Sequence, residues 1–187
     1  MSDIVVQDNF LDEEYFKELQ FGITSPQFPW YMSGIISGYS NVEGNVFFPS
    51  DDYQMVHTVY NKDGDVEGSE YLFQFTDFYN QLRLMFSAMD MYSCQRVKVN
   101  LLKRQNKIIE GGMHIDMYDS PFNSLTSVLY MNTNNGYTRL ETGEKIESVA
   151  NRLVTFPTRI KHTGSTNNCD ALYRCILNIN WIKKEQD

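Results

Sequence analysis

Apolar residues follow helical or broken spacing over roughly the first 92 positions and a two-residue alternation after that. The segment DNFLDEEYFKELQFGI (8–23) predicts a strand end, a cap and an amphipathic helix. Asp8 or Asp12 can accept from the free N–H groups of the first turn, and Phe16, Leu19 and Phe21 fall near helical spacing. Residues 24–54 are rich in Gly, Pro and Ser and predict loops with short strands. A second helix is predicted over 69–90. Its Leu72, Phe73, Phe75, Phe78, Tyr79, Leu82 and Met85 form a broad stripe suited to packing on a sheet.

Beyond Ser93 the period changes. CQRVKVNLLKRQ (94–105) places Val97, Val99 and Leu101 on one face and Arg96, Lys98, Asn100 and Leu102 on the other. Extended segments follow at GMHIDMY (112–118), NSLTSVLYMN (123–132), NRLVTFPT (151–158) and ALYRCILNINWI (171–182). Residues 132–149 carry two turn signals, Asn135-Gly136 and Thr142-Gly143. Two helices thus precede six or seven short strands, with little room between them for crossover helices. The expected fold class is mainly β with flanking N-terminal helices, antiparallel, as a sandwich or jelly roll. There is no internal repeat and no low-complexity tract.

Composition narrows the partners. At 187 residues the chain fits one domain over 1–187, with helical support and loops in 1–92 and a jelly-roll core in 93–187. The net charge of -8 supplies no clustered cations for a duplex, so no nucleic-acid partner is expected. No run of apolar residues is long enough to span a membrane, and MSDIVVQDNFLDEE has no basic, apolar leader. Cys94, Cys169 and Cys175 form no disulfide or zinc pattern and read as free thiols in a reducing compartment. A cytoplasmic location is the expectation.

The candidate chemistry begins at GGMHIDMYDS (111–120). A histidine and a carboxylate at i and i+2 on a strand point to one face, so His114 and Asp116 can reach one point. Alone, H-x-D is weak evidence, and a strand with a surface pair is the commoner outcome. A third ligand must come from elsewhere, and only His57 and His162 remain as histidines. His57 reads as a loop or lid residue with no carboxylate two positions away. His162 follows the apolar strand RLVTF. Two histidines and one carboxylate on one face leave positions open, which suits Fe(II) oxygenase chemistry. Arg174 lies within the apolar strand LYRCILNINW, where a guanidinium is costly unless it meets an anion. That anion is either a bound carboxylate or one of the chain's own 24 acids.

The H-x-D pair, the later histidine in NRLVTFPTRIKH (151–162), the final-strand arginine and the phrase SVLYMN (127–132) resemble the Fe(II)- and 2-oxoglutarate-dependent dioxygenases, prolyl 4-hydroxylase-like branch. The resemblance spans roughly 94–182, with a weaker likeness in DNFLDEEYFKEL. It implies a double-stranded β-helix, the cupin-like jelly roll. It implies that His114, Asp116 and His162 hold Fe(II), that Arg174 pairs with the distal carboxylate of 2-oxoglutarate, and that Tyr130 adds a second hydrogen bond there. Tyr130 is nearly as well read as a core tyrosine. A tyrosine common on the preceding strand of that branch is replaced near Leu102, which puts the details of co-substrate binding in question.

Asn100 and Asn178 are further co-substrate candidates if their strand faces are interior; a solvent-facing sheet is the equal alternative. Asn178 and Asn180 are placed on the face of Arg174, with Ile176 pointing away, and Trp30 and Trp181 read as packing residues. The implied cofactors are Fe(II), 2-oxoglutarate and O2, with ascorbate as a further candidate. The implied reaction hydroxylates a prolyl residue or a small molecule and releases succinate and CO2. Loops 34–70, 103–113 and 119–123 are the candidate substrate covers, and the acidic surface mildly favours a neutral or cationic partner. The alternatives are a non-catalytic metal- or ligand-binding jelly-roll module and a zinc hydrolase. The latter lacks a general base and leaves Arg174 without a role.

Overall fold

The computed structural model describes residues 4–33, 40–41, 44–45, 53–62, 76–118 and 120–184. Strand β1 (Val5–Gln7) leads to helix α1 (Glu13–Thr24). Asp12 caps α1, its side chain accepting from the N–H of Glu14 at 3.0 Å and of Tyr15 at 3.2 Å. Phe16, Leu19 and Ile23 of α1 are buried, but Phe21 is 76% exposed. Phe21 lies roughly 140° round the helix from Phe16, whereas Leu19 and Ile23 stay on its side. Leu72, Phe73 and Phe75 of the second predicted helix fall outside the described residues. The remainder forms α2 (Thr76–Gln81) and α3 (Arg83–Ala88), with Phe78, Leu82 and Met85 buried.

Two antiparallel sheets carry the rest. Into the larger enter β1, β2 (Tyr31–Ser33), β5 (Gln54–Asn61), β6 (Met91–Lys103), β7 (Ser124–Tyr130), β10 (Leu153–Pro157) and β12 (Tyr173–Lys183). Their order is β1-β10-β7-β12-β6-β5-β2. The smaller sheet joins β8 (Tyr137–Leu140), β9 (Lys145–Glu147) and β11 (His162–Gly164) in the order β11-β8-β9. A separate two-stranded pair, β3 (Ser40–Asn41) and β4 (Gly44–Asn45), lies between β2 and β5 in sequence. This is the expected mainly β jelly roll with N-terminal helices.

The alternation predicted for 94–105 sets the layers. Val97 and Val99 join a core with Leu177, Ile179 and the α1, α2 and α3 side chains. A second core, with Val128, Tyr130, Leu140, Val154 and Phe156, involves both sheets. Arg96, Lys98, Asn100 and Leu102, on the other face of β6, line a cavity.

Three local expectations change. Residues 54–61 form a full strand, so His57 lies in the sheet and is 1% exposed, not in a loop or lid. Its ring packs on Phe28 and Tyr31. GMHIDMY forms no strand; His114 makes an isolated bridge to His162, with N–H···O bonds of 3.0 and 2.9 Å. Thr142-Gly143 does turn the β8–β9 hairpin, with Gly143 at φ +107°. Asn135-Gly136 turns no hairpin and instead leads into β8.

Candidate functional site

The His114–His162 bridge brings two distant segments together at the cavity. Asp116 follows two residues on. Its Oδ1 lies 3.6 Å from His114 Nε2, and its Oδ2 lies 3.5 Å from His162 Nε2. One ligand atom from each of the three residues falls within 4.8 Å of the others. The Nδ1 of His114 is 3.1 Å from the Gly112 carbonyl. Donation there leaves the Nε2 lone pair directed at the shared point, the usual support for a metal-ligating imidazole. Burial lowers the pKa of His162, keeping it neutral as a ligand must be. Two imidazoles and one carboxylate fit Fe(II) with open positions.

Asp116 is held by the floor of the larger sheet. Arg96 Nη2 donates to Oδ1 at 2.9 Å, while the Asn178 and Asn180 amides donate to Oδ2 at 3.0 and 3.3 Å. Register explains the convergence, because β6 and β12 pair Arg96 with Asn180 and Lys98 with Asn178. Burial alone would raise the Asp116 carboxyl. The Arg96 guanidinium and the two histidines outweigh burial and hold it well below the ordinary carboxylate range.

Arg174 sits at the opposite end of the same cavity, 1% exposed. Its Nε donates to Ser148 Oγ at 2.7 Å and its Nη2 to Thr138 Oγ1 at 3.0 Å. Among the described residues it forms no ion pair, so none of the chain's described acids is its counter-charge. Burial lowers its pKa, opposed by the Tyr130 hydroxyl. Tyr130 lies fully buried beside it, the ring centroid 5.5 Å from the guanidinium carbon and the hydroxyl donating to the Ile146 carbonyl at 3.3 Å.

Both glycines near Arg174 are there for room. A Cβ on Gly136 would stand 2.7 Å from Arg174 Cδ and 2.9 Å from the Thr166 carbonyl oxygen, and one on Gly164 would stand 3.2 Å from Arg174 Nη1. Gly136→Ala should therefore displace the guanidinium. We expect a loss of roughly 1–3 kcal/mol in stability, read by denaturant unfolding, together with weaker anion binding at this end of the cavity.

The asparagine faces are interior, since Asn178 and Asn180 are 5% and 1% exposed. Asn178 holds Asp116, and its own oxygen, like that of Asn100, is buried without a hydrogen bond. Ile176 does not point away; it lines the cavity with Arg174 and Asn178, as strict alternation along β12 requires. Leu102, where a tyrosine was looked for, presents an apolar wall. Arg96, Lys98, Thr138 and Ser148 were not singled out from sequence. For the first two, a shared strand face with Asn100 was the available signal. His57 is not among the candidate metal ligands.

No protein-family model matches the chain, and no curated protein sequence matches it. Solved structures do. A prolyl-4-hydroxylase from Pseudomonas putida superposes with a TM-score of 0.55 at 14% identity, covering 99% of this chain and 95% of that one. A prolyl hydroxylase from Trichoplax adhaerens, in complex with a hypoxia inducible factor oxygen degradation domain peptide fragment, gives 0.56 at 16% identity over 97% and 84%. The epimerase SnoN, in complex with Fe3+, alpha ketoglutarate and nogalamycin RO, gives 0.63 at 11% identity over 97% and 79%. The chain shares the fold of these 2-oxoglutarate- and iron-dependent oxygenases.

Proposed function

We propose that this chain is an Fe(II)- and 2-oxoglutarate-dependent oxygenase of the prolyl 4-hydroxylase-like group. The observation that carries the reading is Arg174: a buried guanidinium without an acidic partner among the described residues, facing the cavity that also holds His114, Asp116 and His162. A zinc hydrolase would have no use for it. A five-carbon diacid would occupy both ends, with its far carboxylate on Arg174 and its keto acid end toward the triad. The substrate class on this reading is a prolyl residue of a peptide or a small molecule.

In this reading the bound iron and co-substrate supply O2 activation and oxidative decarboxylation to succinate and CO2. The chain supplies placement. His114 and His162 would present ring nitrogens to the metal, while Arg96, Asn178 and Asn180 fix the carboxylate plane of Asp116. Arg174 selects a second carboxylate, and Ser148 and Thr138 fix its fork. Leu102, Val128 and Ile176 supply the apolar part of the intervening wall.

Anaerobic addition of Fe(II) and 2-oxoglutarate should give a weak visible charge-transfer band, absent in His114→Ala, and air should then yield succinate. A well-folded protein that gives neither band nor succinate would instead be the non-catalytic binding module.

A further inference from the structure

The described residues that line the cavity carry a net charge opposite in sign to that of the chain. The chain has a net charge of -8, yet among the described residues that line the cavity Arg96, Lys98 and Arg174 stand against the one carboxylate of Asp116. Arg96 is already paired to Asp116 at 2.9 Å. Arg174 is matched by the distal carboxylate in the proposed function. Lys98 is left over. It makes no hydrogen bond and no ion pair with a described residue; burial, followed by the Arg96 charge and opposed by the Asp116 carboxylate, lowers its pKa to about 8. Lys98 is half-buried and lines the cavity, so its ammonium is available to an anion that enters there.

Its place in the sheet separates it from the co-substrate. Lys98 pairs with Asn178 across β6 and β12, and Asn178 is the residue that holds Asp116. Arg174 pairs with Leu102, four residues along the same strands, which is about 13 Å at the rise of a strand. A diacid spanning the triad and Arg174 runs over Ile176 on β12, while Lys98 flanks that path from β6. The near carboxylate of such a diacid belongs to the metal.

We infer that Lys98 recognises the primary substrate, a small molecule that carries a carboxylate close to the carbon to be oxidised. This rests on the oxygenase reading given above. It reverses the preference for neutral or cationic partners that the acidic composition suggests, because the field inside a low-dielectric cavity is set by the groups lining it.

Acetate and acetamide, an acid and an amide of one shape, are the probes. Each is titrated anaerobically into protein loaded with Fe(II) and saturating 2-oxoglutarate, and perturbation of the charge-transfer band is read. Acetate should perturb the band at concentrations at least about ten-fold lower than acetamide. Lys98→Met should bring that ratio to about one, and Lys98→Arg should keep most of it. Unfolding midpoints of both variants confirm that they fold. Equal responses in the unsubstituted protein overturn the inference. So does an acetate preference that survives Lys98→Met, which would place the anion on the iron. Weaker 2-oxoglutarate binding in Lys98→Met with the preference intact would assign Lys98 to the co-substrate and also overturn it. Absence of the band in the unsubstituted protein is a different failure: it sinks the oxygenase reading and the inference with it.

Discussion

Arg174→Leu should raise the 2-oxoglutarate concentration needed for half-maximal succinate formation by about 100- to 1000-fold. The guanidinium offers charge-assisted hydrogen bonds to a carboxylate in a site shielded from water, and losing two of them costs about 3–4 kcal/mol. The same substitution should leave the fold intact. It removes a buried cation without an acidic partner among the described residues and fills the space with an apolar side chain. The opposing cost is small, because only the Ser148 and Thr138 hydroxyls lose a partner. The unfolding midpoint without ligand should thus move by only a few degrees, while the stabilisation that 2-oxoglutarate confers on the parent protein should vanish. An unchanged KM for 2-oxoglutarate would remove Arg174 from the co-substrate site.

The sequence was readable wherever one period held. The alternation over 94–105 placed Arg96, Lys98, Asn100 and Leu102 on one face, and that face lines the cavity. The helix cap, open between Asp8 and Asp12 and made by Asp12, and the Thr142-Gly143 turn were legible because each rests on local chemistry. Strand β5 was not readable. Its buried positions include Gln54 and His57, and an irregularity between Thr58 and Tyr60 breaks the two-residue period, so QMVHTVYN gives a mixed signal. Phe21 misled for a related reason, since apolar character alone does not report angle round a helix.

The site divides along the same line. His114, Asp116, His162 and Arg174 were legible as residue types in order. The geometry that joins them depends on a single bridge, His114 with His162, between segments that share no local pattern. The support of Asp116 by Arg96, Asn178 and Asn180 depends on cross-strand register, which alternation cannot supply. Ile176 is the converse case: the two-residue period alone puts it on the face of Arg174 and Asn178, and it lines the cavity with them.

Asp116→Ala and Arg96→Met should differ sharply, and the difference separates holding the metal from holding its ligand. Asp116→Ala removes the only carboxylate in the candidate ligand set. Two imidazoles remain, and the Arg96 guanidinium beside them has lost the carboxylate it was paired with. Fe(II) affinity should fall by at least about 1000-fold, and succinate formation should drop to background. Arg96→Met leaves the carboxylate in place, still accepting from Asn178 and Asn180 at 3.0 and 3.3 Å. Its Fe(II) affinity should change by about 10- to 100-fold, the usual scale for a residue that orients a ligand. Stability should move in the same order. Asp116→Ala leaves a partly buried cation without its carboxylate and strands the Asn178 amide donor, whereas the Asn180 amide keeps Thr126; Arg96→Met leaves a carboxylate that retains two donors. Fe(II) titration and denaturant unfolding of the two variants, side by side, measure both orders. Equal losses of Fe(II) affinity would mean that Asp116 serves as the counter-ion of Arg96 and does not ligate the metal.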